Sequence, residues 1–402
     1  MQSEHDPQQL MSQLRQILSA DKLSIGFFLG AGCPCSVRIQ DPDGTDSKPI
    51  IPAIQGLTDQ ITSAMLASDV TKGAFEKIVG TLEEDGHAGP SVEAMLNRIR
   101  SFRDVAGNAG VRGLSNIELE SLDRAICARI RTTMKCDLPT TPTAYQSLAK
   151  FIGRHRFPPV EVFTTNYDVL FEQALEREHV PFFDGFVGSS RPFFDQRAIE
   201  EDSIPKRWSR LWKIHGSINW RSNRLTKSVF RSDGDEDDEL LIHPSHLKYN
   251  ESRRMPYLVL IDRLRNFLRR SDHPVALILS GYSFGDEHIN EAIIESLKAN
   301  SSAACFAFQF SKLSQYPVAR ALALENSNLT VLAEDGAVVR RQEGNWLARP
   351  ESDRAMLSGA FEFKEVGQEG QEQNQNIPCH LKLGDFAELG NLLDQFVDGR
   401  VQ

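Results

Sequence analysis

The chain has no stretch approaching the ~18 consecutive apolar residues that a membrane-spanning helix needs. Its first twenty residues, MQSEHDPQQLMSQLRQILSA, also lack the apolar core of a secretion signal. The expected location is therefore the cytoplasm. Cysteine is scarce. Cys33, Cys35, Cys127, Cys136, Cys305 and Cys379 are the six in 402 residues, too few for a disulfide framework. No two are spaced as CxxC, which argues against a four-cysteine zinc site. Positive charge is not in excess either. Lys plus Arg number 45 against 55 Asp plus Glu, a net of −10. That balance speaks against non-specific nucleic-acid binding as the main task, though a local basic patch could still act. What is present is an ordinary globular composition, 40% hydrophobic and 25% charged. It excludes a wholly disordered chain, a collagen-like fibre and a disulfide miniprotein. At about 150 residues per domain, the length corresponds to two or three units.

Residues 1–20 read as a helix with Leu10, Leu14 and Leu18 on one stripe. The run LSIGFFLGAG (23–32) is short, apolar and ends on glycines, the pattern of a buried strand feeding a tight turn. QDPDGTDSKP (40–49) is rich in turn formers and reads as a surface loop. Residues 57–152 are mostly helical in pattern. Ser91 is a plausible N-cap, Ser115 and Glu118 have capping-box spacing, and Leu119, Leu122, Ile126 and Ile130 recur at helical intervals. This block reads as a helical module inserted after the first strand. From 160 onward strands and helices alternate. Strands are expected at VEVFTT (160–165), LWKIHGS (211–217), VALILSGYS (275–283), AACFAFQF (303–310) and LTVLA (329–333). Helices are expected at 167–178, 286–300 and 317–325. Alternation of this kind predicts a doubly wound, parallel, Rossmann-like α/β sheet. Residues 1–335 form that domain in this reading, and 336–402 form a short C-terminal extension. Within the extension GQEGQEQNQN (367–376) is expected to be a flexible loop, and 383–396 an amphipathic helix.

Four motifs lie at predicted strand ends. Gly30-Ala31-Gly32 can bring backbone close to a phosphate, or simply make a tight turn; the third glycine of GxGxxG is replaced by Cys35. Thr165-Asn166-Tyr167-Asp168 lies where open parallel sheets bind ligands. Asn166 offers a donor and an acceptor for a water or a ribose hydroxyl, and Asp168 can accept hydrogen bonds. Both residues can equally serve only to cap the next helix. His215-Gly216-Ser217 presents an imidazole able to move a proton near neutral pH, or a structural histidine. Gly281-Tyr282-Ser283 suits a nucleotide ribose or phosphate; a turn capped by Asp286 explains it as well. The acidic run DGDEDDE (233–239) reads as a solvated loop, and His243 with His246 lack a third metal ligand.

Taken in order, GAG, TNYD, HG and GYS resemble the sirtuin superfamily, and the sirtuin-like domains of bacterial anti-phage defence systems more than the deacylases. The resemblance spans about residues 20–335. It implies an NAD-binding Rossmann-type domain with a helical module, Asn166 and His215 as catalytic residues, and cofactor contacts at Gly30, Ala31, Gly32, Thr165, Asp168, Gly281 and Ser283. Ser311, after the strand 303–310, would face the adenosine ribose. Deacylase sirtuins carry a zinc module of two cysteine pairs between the HG and glycine-serine motifs. Here 217–280 contains no cysteine, so no zinc is expected. In the GAG block Cys33 stands where the family has serine, and 33–50 is longer than in deacylases.

The activity implied is hydrolysis of the nicotinamide–ribose bond of NAD to ADP-ribose and nicotinamide, depleting NAD during phage infection. Without the zinc module the groove for an acyl-lysine peptide is missing, which disfavours deacylation. Three other readings stay open. One is an NAD-dependent protein deacylase or ADP-ribosyl transferase. Another is a sensor that binds NAD or ADP-ribose while a partner does the chemistry. The last is a nuclease subunit whose acidic run binds Mg²⁺. The resemblance further implies a trans-acting partner, a HerA-type DNA-translocating ATPase through which nucleic acid would be met, together with homo-oligomerisation and no membrane association.

Overall fold

Ser24–Leu29 (β1) is buried at every position, and its side chains leave in two directions. Ile25, Phe27 and Leu29 enter one apolar cluster, and Phe28 enters another. A strand covered on both faces reads as a continuous apolar run, which is why SIGFFL shows no alternation. The computed structural model describes residues 3–40, 47–107, 109–154, 157–223, 226, 228–232, 239–242, 256–363 and 376–397.

Five further strands run parallel to β1: Glu161–Thr164 (β2), Ser209–Lys213 (β3), Val275–Ser280 (β4), Ala303–Phe308 (β5) and Leu329–Leu332 (β6). Their order across the sheet is β6-β5-β4-β1-β2-β3, with the two-residue strand Phe182–Phe183 beyond β3. The chain builds β1, β2 and β3 outward on one side, then crosses to β4 and builds outward on the other. The connections therefore reverse between β1 and β4, and that reversal is where doubly wound sheets open a ligand crevice. Register makes the crevice a single edge. Ser280 pairs with Leu29, Leu29 with Thr164, Thr164 with Lys213, and Ser280 with Phe308. All four predicted motifs thus leave the sheet in one row. The expected α/β doubly wound fold with inserted helices is the fold observed.

The inserted helices are Ile54–Leu66, Lys72–Glu84, Val92–Ala106 and Asn116–Met134, here αA to αD. Ser91 caps αC by accepting from the Ala94 N–H, and Ser115 and Glu118 form the capping box that starts αD. Ala144–Gly153 follows and packs with the last helix, Phe386–Val397. The other face of the sheet is covered by Tyr257–Leu268, Glu287–Ala299 and Pro317–Glu325.

Three expectations need correction. Residues 1–20 are not one helix: Ser3–His5 is a strand parallel to Gly344–Trp346, and the helix runs Pro7–Ser19. Asp6 caps it and Pro7 occupies the first turn, a start signal that the leucine stripe alone does not reveal. The 40–49 segment is not wholly a loop, because Arg38–Gln40 and Ser47–Pro49 pair as antiparallel strands. The C-terminal extension does more than end in a helix. Gly336–Val339, Gln342–Ala348, Ile377–Leu381 and Phe361–Phe363 continue the main sheet beyond β6 as antiparallel strands. A small second sheet was also not anticipated. It contains Gly216–Ser222, Val229–Arg231, Phe193–Phe194, Phe186–Val187 and Glu239–Ile242. The acidic positions 233–238, the histidines 243 and 246, and the polar residues 367–375 lie outside the described residues, and so do the side chains of 239–242. Among the described residues no helix is long and apolar enough to cross a membrane.

Candidate active site

Two loops meet backbone to backbone at the reversal point. The Gly30 N–H donates to Ser280 O and the Gly32 N–H to Gly281 O, each at 2.9 Å. A Cβ on Gly30 would lie 2.2 Å from Gly281 O. One on Gly281, whose φ is +66°, would lie 2.6 Å from Cys33 N. The glycines are thus required by the contact between the β1 and β4 loops. Cys33 fills the position expected to hold serine and is fully buried there. Its thiol donates to Ser280 O at 3.2 Å, and burial pushes its pKa up.

Beside this contact lies a cavity of about 340 Å³, within the range of about 300–1,000 Å³ common for ligand pockets. Its polar floor includes Thr165, Asn166, Asp168, His215, Ser283 and Asp286. The helical module supplies an apolar wall with Ile54, Leu57, Leu96, Ile130 and Met134. Of the residues singled out from sequence, Ala31, Thr165, Asn166, Asp168, His215, Gly281 and Ser283 line this one space. Gly30 and Gly32 stand just behind it in the loop contact. Ser311 lies at the same sheet edge but outside the lining. Its N–H donates to the Tyr316 hydroxyl, and its carbonyl accepts from the Glu334 N–H.

Asn166 is held from two sides. Its backbone N–H donates to Thr164 Oγ1 at 3.0 Å, and Thr164 in turn donates to Leu29 O at 2.8 Å. Its side-chain Nδ2 donates to Gly30 O at 3.0 Å. That bond fixes the amide orientation and leaves Oδ1 as the acceptor end. His215 follows β3, where Gly216 takes φ +88° and turns the chain into the second sheet. Its ring lies 6.4 Å from that of Tyr167. The His215 Nε2–H donates to Asp286 Oδ2 at 2.9 Å, and both side chains are about 95% buried. The other carboxylate oxygen of Asp286 accepts from the His288 and Ile289 N–H groups at the start of Glu287–Ala299. Asp286 is therefore helix cap and histidine partner at once. Sequence reasoning found only the first role, because nothing local to SFGDEH reveals an imidazole 71 positions earlier. A carboxylate on Nε2–H selects the tautomer in which Nδ1 is unprotonated and basic.

Asp168 is also both cap and site residue. It accepts from the Leu170 N–H at 3.0 Å, at the start of Leu170–Arg177, and it lines the cavity. Burial raises its pKa to about 6, partly offset by the Lys213 ammonium. Lys213 is fully buried. It donates to the Asp168 carbonyl and, at 2.8 Å, to Glu172. The Gly281–Asp286 turn is tied down as well. The Tyr282 hydroxyl donates to Asn290 Oδ1, Asn290 Nδ2 donates to Phe284 O, and Gln309 Nε2 donates to Tyr282 O.

Residues 160–332 match the family model of the SIR2-like domain. The matched segment runs from just before β2 to the end of β6 and carries Asn166, Asp168, His215, Gly281, Ser283 and Asp286. The Gly30 loop and the helical module precede it. Among solved structures the chain is similar to a Sir2 homologue mutant in complex with ADP-ribose, at 12% identity, covering 76% of this chain and 87% of that one, with a TM-score of 0.36. It is also similar to a structure described as the basis for the mechanism and regulation of Sir2 enzymes, at 14% identity, with the same coverages and a TM-score of 0.35. No curated protein matches.

Proposed function

We propose that the chain hydrolyses NAD at the nicotinamide–ribose bond, releasing nicotinamide and ADP-ribose. The observation that carries this reading is the convergence of the Asn166 amide and the Asp286-held His215 imidazole on one cavity, in a segment that matches the SIR2-like domain. As the bond between the ribose carbon and the pyridinium nitrogen breaks, its electron pair leaves with neutral nicotinamide, and positive charge builds on the ribose. Asn166 Oδ1 is the acceptor that would orient the attacking water or a ribose hydroxyl. His215 Nδ1 would take the proton released as the new C–O bond forms, and Asp286 would stabilise the resulting imidazolium. The apolar wall from the helical module would hold the nicotinamide ring and lower the local dielectric. Thr165, Asp168, Gly281 and Ser283 would contact the ribose and its neighbours, with Ser311 and the Gly30–Gly32 loop toward the adenosine half.

Depletion of NAD as a defence against phage, control by a HerA-type ATPase and homo-oligomerisation belong to the same proposal. The test is to incubate the purified chain with NAD, alone and with that ATPase plus DNA, and follow nicotinamide and ADP-ribose. Release is expected in at least one condition, and Asn166→Ala should abolish it. Retention of full cleavage by Asn166→Ala would overturn the mechanism. Tight NAD binding with no turnover in either condition would replace it with a sensor role.

A further inference from the structure

Among the described residues the cavity lining includes Glu93, Asp168, Asp286 and the imidazole of His215 but no lysine or arginine, while Lys213 and Arg100 act from behind it on Asp168 and Tyr167. Two of the three carboxylates sit on the SIR2-like segment at strand ends. The third does not: Glu93 lies in the first turn of αC, so the helical module delivers it to the cavity together with Ser91 and Val92. Its charge acts on the Tyr167 hydroxyl at the cavity, where it helps burial to raise that group's pKa and the Arg100 guanidinium opposes it. An acidic residue in a helix's first turn has an ordinary role, favouring the helix dipole. That role requires no cavity, whereas Glu93 shares one with Asn166 and His215.

We propose that Glu93 is a specificity residue of this site and makes the cavity select a cationic ligand. The inference rests on the NAD reading and deepens it. NAD⁺ carries a positive pyridinium, and cleavage moves that charge onto the ribose carbon. NADH carries a neutral dihydropyridine of nearly the same shape. A carboxylate in the lining of a partly desolvated site favours the first and leaves the second unassisted. The phosphates, which Glu93 would repel, would then lie away from it. The module would thus be part of the recognition machinery, reading the charge of the ring, as well as a wall.

The experiment follows NADH binding by its own fluorescence and NAD⁺ by rapid displacement of that signal, on the full chain. The unaltered protein is expected to bind NAD⁺ about tenfold or more tightly than NADH. Glu93→Gln should lower that ratio to near one by weakening NAD⁺ alone, and Glu93→Asp should restore most of it. Ser115→Ala is the control. It loosens the far end of αD by removing its cap and should leave the ratio unchanged. A ratio unaffected by Glu93→Gln would leave Glu93 a helix-turn residue and overturn the proposal while the NAD reading stands. Equal affinity for NAD⁺ and NADH in the unaltered protein would overturn it even if the Gln variant fails to fold. Absence of binding by either nucleotide would instead remove the NAD reading itself.

Discussion

Replacing Asp168 with asparagine should make the protein more stable and less active. The carboxyl is 5% exposed, and burial raises its pKa from 3.8 to about 6. At about 1.4 kcal/mol per tenfold change, that difference is a penalty of up to about 3 kcal/mol for keeping the group charged in the folded state. Because the folded value lies above the unfolded one, the folded protein binds the proton more tightly. The contribution is therefore fully present below about pH 4 and is lost as pH rises through about 6. Asparagine keeps the acceptor for the Leu170 N–H and has no charge to bury. For 402 residues, about 3 kcal/mol corresponds to a rise of about 3–4 °C in Tm. Lys213 loses a favourable neighbour but keeps Glu172, so this value is a ceiling. Thermal unfolding of both proteins between pH 4 and pH 8 is the assay. The gain should be near zero at pH 4 and largest above pH 7, while nicotinamide release falls. A variant less stable at pH 7.5 than at pH 4.5, relative to the unaltered chain, would refute the reasoning. It would mean that attraction between Asp168 and Lys213 outweighs desolvation.

Asp286→Asn preserves the cap of Glu287–Ala299, so stability should stay within about 1 kcal/mol. It also frees the His215 tautomer, so NAD cleavage should fall by about 10³–10⁴-fold; a loss under tenfold would remove Asp286 from the mechanism. Gly281→Ala forces a side chain into φ +66° and to 2.6 Å from Cys33 N. Soluble yield or Tm should collapse, whereas Gly285→Ala, whose nearest neighbour is Ser283 Oγ at 3.6 Å, should cost about 1 kcal/mol or less. Glu161 is buried at the opposite end of β2 and accepts from Arg263 and Arg270 at 3.2 Å and from Trp212 Nε1 at 2.7 Å. Glu161→Gln removes the buried carboxylate from two arginines, which keep Asp202 and Asp272 as partners, and should cost about 1.5–3 kcal/mol by chemical denaturation. KM for NAD should not change, because the cavity lies at the other end of the strands.

Much of the architecture is legible in the amino-acid sequence. Most of the six parallel strands are apolar runs bounded by glycine and polar turns, the mark left by strands buried on both faces, whereas β3 carries Arg210 and Lys213 and ends before the His215-Gly216-Ser217 that the expected strand included. The caps at Ser91 and Ser115 were legible for a similar reason, since a capping bond spans three residues and is written within them. Ser3–His5 and the strands after 336 were not. They are short edge segments whose pairing partners lie far away in sequence, so no local period distinguishes them. The Arg38–Gln40 hairpin is hidden for another reason, because its polar composition is that of a loop.

The site divides along the same line. Asn166, Asp168 and His215 could be named because each follows a strand end, and a parallel sheet places all such ends on one edge. Which side chains meet there depends on register and on where the chain reverses across the sheet. Those are properties of pairings between β1, β2, β3 and β4, strands up to about 250 residues apart in sequence. Hence the residue types and their strand ends belong to the linear chain. The bond between His215 and Asp286, the contact that Gly30 and Gly281 make possible, and the arrival of Glu93 from an inserted helix belong to the folded one. Each joins groups that only packing brings within hydrogen-bonding or Coulombic reach.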